Sequence, residues 1–207
     1  DGKAPMRAVV VRGSDGPAGY ALYRVVRVQG PQGNHSELRV QEVVATTVTA
    51  HVALYEHLFS RDLIARVAFD FLPRDTPLLR LLVDQKRLAR TPFDSLWLRL
   101  VDVPAALTER TYAMPFEATI EVSDRYAPWN AGRWRVEAGT GGARVEATDA
   151  ACDLTLDVAQ LGAAHLGQES LLGALRAGLI TEHTPGTVAI LDTALYRPDP
   201  AFCGVIF

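Results

Sequence analysis

Five histidines, two cysteines and a scatter of carboxylates are the residues of this 207-residue chain that could do chemistry. Spacing decides how far each can be taken. His51 and His57 stand six apart, which on a helix sends them to different faces and makes a poor metal pair. His35, His165 and His183 are scattered, and each histidine reads as a surface or hydrogen-bonded residue. Cys152 and Cys203 form no CxxC pair, so a zinc ribbon or thioredoxin-like site is not indicated. They read as two buried reduced thiols, with a single disulfide as the alternative if the fold brings them together. Gly13-Ser14-Asp15-Gly16 places a serine between glycines, but no strand-to-helix context follows, so it is a hairpin turn and not a nucleophile elbow. GxGxxG, GxxxxGK[ST] and HExxH are all absent.

Asp153 and Asp157 flank a short strand and could pair as acid and base. The simpler expectation is that Asp153 faces solvent and Asp157 caps the following helix. Trp97, Trp129 and Trp134, with Tyr126, could line an apolar pocket for a lipid or acyl chain; a core and interface role for these aromatics is the plainer reading. The chain ends in Val205-Ile206-Phe207, apolar where termini are usually polar and frayed. If the Phe207 ring is anchored, its α-carboxylate is held in place and can act as a general base. The alternative is a tail that simply packs.

The elements that must position these residues fall into two groups. Residues 7–12, 18–28 and 35–45 read as strands, the last two as an antiparallel hairpin across the turn cluster Gly30–Asn34. Thr46-Thr47 starts a helix carrying Val48, Val52, Leu54, Tyr55, Leu58 and Phe59. A strand over 64–71, a helix over 77–88, a strand over 96–101 and a helix over 103–112, opened by Pro104, follow. Beyond Met114-Pro115 the pattern gives strands at 116–122, 132–137, 143–147 and 154–158. Helices follow at 158–166, 170–177 and 187–195, with Gly167 and Gly178 placed to end the first two. The fold class is α+β, in two modules that meet near Tyr112–Phe116.

Bulk composition bounds the function. Net charge is −3 with 48% hydrophobic and 22% charged residues, a globular profile without the basic excess of a nucleic-acid binder. No apolar run reaches the roughly 20 residues that span a bilayer. A start at Asp1 without Met, and without an apolar leader, reads as a truncated or proteolysed product.

Several segments, in order, carry a resemblance. They are Gly19–Arg24, Glu42–Thr47 with the Ala-containing helix after it, Asp62-Leu63 and Asp94–Val103. Ala127–Arg135, Asp153–Val158 and Leu161–Gly167 complete the series. The series resembles the C-terminal half of Eis-like (enhanced intracellular survival) N-acetyltransferases, over nearly the whole chain. That family has an N-terminal GCN5-related acetyltransferase (GNAT) domain, a second degenerate GNAT-like domain and a domain like sterol carrier protein. The resemblance therefore implies a degenerate GNAT-like domain over 1–113 and a sterol-carrier-protein-like α+β domain over 114–207.

It also implies the chemistry. Active GNAT domains hold the acetyl-CoA pyrophosphate on an R/Q-x-x-G-x-A/G loop at a helix N-terminus. The corresponding Ala45–Ala50 has no Arg, Gln or Gly. No cofactor is thus expected in this chain, and acetyl-CoA is expected in the absent N-terminal domain. The family's catalytic terminal carboxylate falls on Phe207. Ile206 stands where an acidic residue can help bind cationic substrates, which weakens the expectation for polyamines or aminoglycosides. The family's general acid, a Tyr, lies in the absent half, so Tyr20, Tyr23, Tyr55, Tyr112 and Tyr126 receive no role. The resemblance further implies a small-molecule or lysine amine as acceptor, a cytoplasmic homo-oligomer (a hexamer), and neither nucleic acid nor membrane as partner. Two readings compete with this one: a lipid- or sterol-binding module, which requires a continuous apolar tunnel in 114–207, and a purely structural assembly domain.

Overall fold

A computed structural model describes residues 4–31, 33–139 and 141–205. The chain divides into two compact units, one running to Phe93 with Gly204 and Val205, the other Asp94–Cys203.

The first unit opens with β1 (Arg7–Gly13), β2 (Gly16–Gly30) and β3 (Gly33–Ala45), an antiparallel meander. Helix α1 (Val48–Phe59) then crosses over to β4 (Ile64–Phe69), which pairs parallel to β3. A parallel partner cannot be reached by a tight turn, and α1 supplies the crossover. The four strands lie in the order β1-β2-β3-β4. Along β2 and β3 the residues Ala21, Tyr23, Leu38 and Val40 point to one side and meet Leu54, Tyr55 and Leu58 of α1. Leu38, Leu54 and Leu58 are wholly buried, each contributing roughly 2 kcal/mol by leaving water. The helix starts where its sequence predicts, but its buried stripe is Ala50, Leu54, Tyr55 and Leu58; Val48 is 77% exposed.

The helix expected over 77–88 is broken. Only α2 (Leu78–Leu81) is α-helical; Leu82 turns extended, and a single 3-10 turn follows at Gln85–Arg87. The Asp84 side chain accepts from Lys86 N–H, a local bond that competes with helix continuation. Three apolar residues of this stretch still face inward, Leu78 buried and Leu82 and Leu88 packed against the core, whereas Leu81, also expected inward, and Val83 are exposed.

In the second unit α3 (Val103–Glu109) precedes β5 (Phe116–Ser123), β6 (Gly132–Gly139), β7 (Gly142–Ala147) and β8 (Leu154–Asp157). Then come α4 (Val158–His165), α5 (Leu171–Arg176), a short β9 (Ile180–Glu182) and α6 (Thr187–Leu195). The sheet order is β7-β6-β5-β8-β9, with β5 and β8 parallel. Ile120, Val136, Leu154, Leu161, Leu191 and Leu195 fill the core between sheet and helices. The opposite face carries Glu117, Glu121, Arg133 and Arg135, with Arg135 2.7 Å from Glu117 and 2.8 Å from Glu137. These are exposed pairs that keep the face solvated and add little stability.

Three expectations change here. Residues 96–101 form no strand; they run without a ladder partner among the described residues. The division at Phe93/Asp94 lies 20 residues before the expected 113/114, because Leu100, Val103, Leu107 and Tyr112 all enter the second core. Strand β9, too short to show a period, carried no sequence signal. The helix stops held: Gly167 and Gly178 adopt φ +82° and +74° after α4 and α5. A side chain at Gly167 would sit 2.7 Å from both Arg197 N and Leu195 O, so glycine is required there twice over.

Candidate functional site

Among the described residues, most polar groups that could do chemistry are closed on one another. Phe207 and Ile206 lie outside the described residues. At the end of β3, Thr46 N–H and Oγ1 both donate to Ala18 O. Thr47 caps α1, its Oγ1 accepting from Ala50 N at 3.2 Å. One of the amide donors that a phosphate would need at this helix end is therefore already taken by the chain itself. Just past the end of α1, Arg61 Nη2 donates to Tyr23 Oη at 3.0 Å, and Oη lies 3.2 Å from Nε2 of His57 in the helix. Burial first, and then Arg61, hold the His57 pKa below its ordinary value, so the ring is neutral and Nε2 can accept the hydroxyl proton. His51 takes no part: it stacks on Tyr55 at 5.7 Å.

The acid pair Asp153/Asp157 divides. Asp157 caps α4 by accepting from Ala159 N at 3.0 Å, as expected, and also receives Ser123 Oγ. Asp153 does not simply face solvent. Its oxygens accept from Thr119 N at 2.8 Å and Thr184 Oγ1 at 2.6 Å, and its carbonyl accepts from His183 N and Thr184 N. It ties β5 to the residues after β9. Cys152 and Cys203 form no disulfide with each other, and each is half-buried. The Cys152 thiol donates to Glu121 Oε2 at 3.2 Å, and Thr155 Oγ1 lies 3.0 Å from His183 Nε2. The thiol's bond to Glu121 is the largest of the effects that hold that carboxyl below its ordinary range.

Two buried centres had no sequence-based assignment. Asp124 is the first: its side chain is wholly buried. It accepts from Arg99 Nη2, Tyr126 N and Ala127 N on Oδ1, and from Asn130 Nδ2 on Oδ2. Burial alone would raise its pKa; the bonds from Asn130, Ala127, Tyr126 and Arg99 outweigh it and bring it down to about 2. Asn130 extends the network, accepting from Val103 N and donating to Leu100 O, while its own carbonyl receives Trp134 Nε1. Trp129 Nε1 donates to Val101 O. The aromatics therefore do not gather as a pocket: Trp134 packs on the core, whereas Trp97, Tyr126 and Trp129 are 84, 76 and 64% exposed.

Arg110 is the second. The residue is 8% exposed, and its guanidinium donates to His165 O and Leu195 O at 2.8 Å each, the last carbonyls of α4 and α6. One cation thus ends two helices, where their dipoles favour positive charge. It also lies over the Tyr112 ring, whose burial pushes the phenol up to about 12. His165 Nδ1 is buried without a partner among the described residues, and burial with Arg110 lowers the His165 pKa. No group of three metal-ligating side chains occurs among the described residues. The cavity by Gly167–Ser170 and Asp192–Tyr196 measures about 60 Å³, room for water and not for a sterol. No helix among the described residues is long and apolar enough to cross a membrane.

Similarity to known proteins follows this division. Residues 1–100 match the acetyltransferase (GNAT) domain family, and residues 103–204 the sterol carrier protein domain family. The fold and these matches define a GNAT-type domain followed by a sterol-carrier-type domain. The longer proteins that the chain resembles include N-acetyltransferases of the Eis type. The chain is 38% identical over 194 residues to an uncharacterized N-acetyltransferase of Streptomyces avermitilis, covering 94% of this chain and 47% of that protein. It is 43% identical over 156 residues to N-acetyltransferase Eis of Mycobacterium tuberculosis, covering 73% of this chain and 36% of that protein. The crystal structure of Eis1 from Mycobacterium abscessus superposes with a TM-score of 0.78 at 33% identity, over 98% of this chain and 51% of that one. The chain spans about half the length of the relatives it matches.

Proposed function

We propose that this chain is the C-terminal portion of an acetyl-CoA-dependent N-acetyltransferase whose acceptors are amines, and that the coenzyme is bound outside it. The observation that carries this reading is the α1 N-terminus, where Thr47 occupies an amide a coenzyme phosphate would use and no Arg, Gln or Gly is present in Ala45–Ala50. The similarity to N-acetyltransferases about twice as long supports it. In this reading the α-carboxylate of Phe207 takes a proton from the acceptor amine. The amine nitrogen then attacks the thioester carbonyl, the C–S bond breaks, and the proton that the new amide nitrogen must lose passes to the sulfur, so coenzyme A leaves as its thiol. Holding amine and thioester together supplies much of the rate. The two units contribute the carboxylate and the scaffold for a homo-oligomer.

The test is acetyl transfer to a polyamine, an aminoglycoside and a lysine peptide, read by mass spectrometry. The chain alone should give no acetylated product, and the longer protein should give product that disappears when Phe207 is deleted. Turnover by the chain alone would overturn the assignment of the coenzyme to another part, and Ala45–Ala50 would become the segment to mutate.

A further inference from the structure

Strand β1 lies at the edge of its sheet and, among the described residues, pairs with β2 alone. It is seven residues long and reads Arg7-Ala8-Val9-Val10-Val11-Arg12-Gly13. An edge strand presents every second N–H and C=O to whatever lies beside it, and proteins blunt such edges with lysine, proline, inward charge or a cover. Between Arg7 and Arg12, β1 has none of these residue devices. A register shift falls at Val11/Arg12, but Arg7 to Val11 stay in unbroken register with Tyr23 to Gly19. Strand β7, at an edge of the other sheet, carries instead the exposed charges of Arg144 and Glu146.

The side chains beside this edge are apolar as well. Val10 is 53% exposed and lies across from Tyr20, which lies across from Val44, itself 41% exposed. The row faces away from α1, because the alternate residues Ala21 and Tyr23 enter the core. The entry to β1 does not cover the edge: Arg24 donates to Ala4 O, which keeps the incoming chain beside β2. We infer that the free edge of β1 receives a strand from the part of the longer protein that precedes Asp1, so that the sheet continues past its four strands. This rests on the reading of the chain as the C-terminal portion of a longer N-acetyltransferase. The path of the chain names the occupant. Strands consecutive in sequence are neighbours in a sheet roughly two-thirds of the time, and β2 already holds the other side of β1. Adjacent strands lie only about 4.8 Å apart, so a preceding strand reaches this edge through a turn or a crossover helix. The relatives have the length for either, since the chain covers 47% of one and 36% of another.

The experiment is hydrogen exchange, resolved to single amides, on this chain and on the longer protein. In this chain, alternate amides of β1 should exchange fast, since every second N–H points away from β2. In the longer protein the same amides should slow by on the order of a hundredfold or more. Amides of β2, which has a partner strand on each side, should be slow in both. Fast alternate amides in the longer protein overturn the inference. Slow exchange of these amides in this chain alone does so too, and slowing that grows with protein concentration would name a second copy as the occupant. Acetyl transfer is measured separately. A protected β1 in a longer protein that acetylates no amine sinks the proposed function and leaves the edge assigned; an active longer protein with a fast β1 edge does the reverse.

Discussion

Arg99 Nη2 lies 2.5 Å from Asp124 Oδ1, with the carboxylate side chain wholly buried and the guanidinium side chain 45% exposed. This bond fastens the irregular segment before α3 to the turn between β5 and β6. Asp124→Leu leaves four N–H donors without their acceptor, one of them Asn130 Nδ2 in a buried network. The second unit should then unfold at lower denaturant concentration. Urea titration followed by tryptophan fluorescence checks this, and an unshifted midpoint contradicts it.

The same carboxylate sets an acid limb. Its folded pKa, about 2, lies below the ordinary 3.8. The unfolded chain therefore binds this proton first as pH falls. Its contribution is complete above pH 3.8 and is lost between 3.8 and about 2. The urea midpoint of the native chain should fall through this window, and the part due to Asp124 should be missing in Asp124→Asn.

Arg110→Met strands the terminal carbonyls of α4 and α6 while keeping most of the side-chain volume. The expected loss is about 3 kcal/mol, since each unsatisfied buried acceptor costs on the order of 1–3 kcal/mol. Arg110→Lys, with a single ammonium, should recover only part of it. Chemical denaturation of the three proteins gives the comparison.

Thr47→Ala removes the α1 cap seen at Ala50 N. Because Thr47 is exposed, the loss should be that of the cap alone, about 1 kcal/mol. Hydrogen exchange at the first turn of α1 should quicken; unchanged protection there counts against the cap.

His57 is neutral because its surroundings disfavour the charged ring. In an NMR pH titration its midpoint should fall below the usual 6.5, and Arg61→Gln should move it upward by removing the nearby cation. A midpoint that ignores Arg61→Gln would show that burial acts alone.

Much of the fold was legible because it rests on local rules. Thr47 and Asp157 cap helices within three residues of themselves, and Gly167 and Gly178 stop helices by their own φ angles. The meander of β1 to β3 follows from alternation and turn residues. Where sequence reading failed, the deciding contact was distant. The stretch 96–101 alternates like a strand, yet a strand needs a ladder partner, and the described residues provide none. The leucines of 77–88 suggested one helix, but Leu82 turns extended, and Leu78, Leu82 and Leu88 reach the core of residues distant in the chain from two separate short turns.

By itself, the sequence determined the α+β class, the order of most elements and the resemblance to Eis-like N-acetyltransferases, because periods, caps and motif order are properties of neighbouring residues. Only the tertiary structure decided that Arg110 bonds carbonyls 55 and 85 residues away. It also decided that Asp124 is a buried acceptor and that the boundary between units falls at Phe93. Those outcomes depend on which surfaces meet when water is excluded, and chain spacing does not encode them locally.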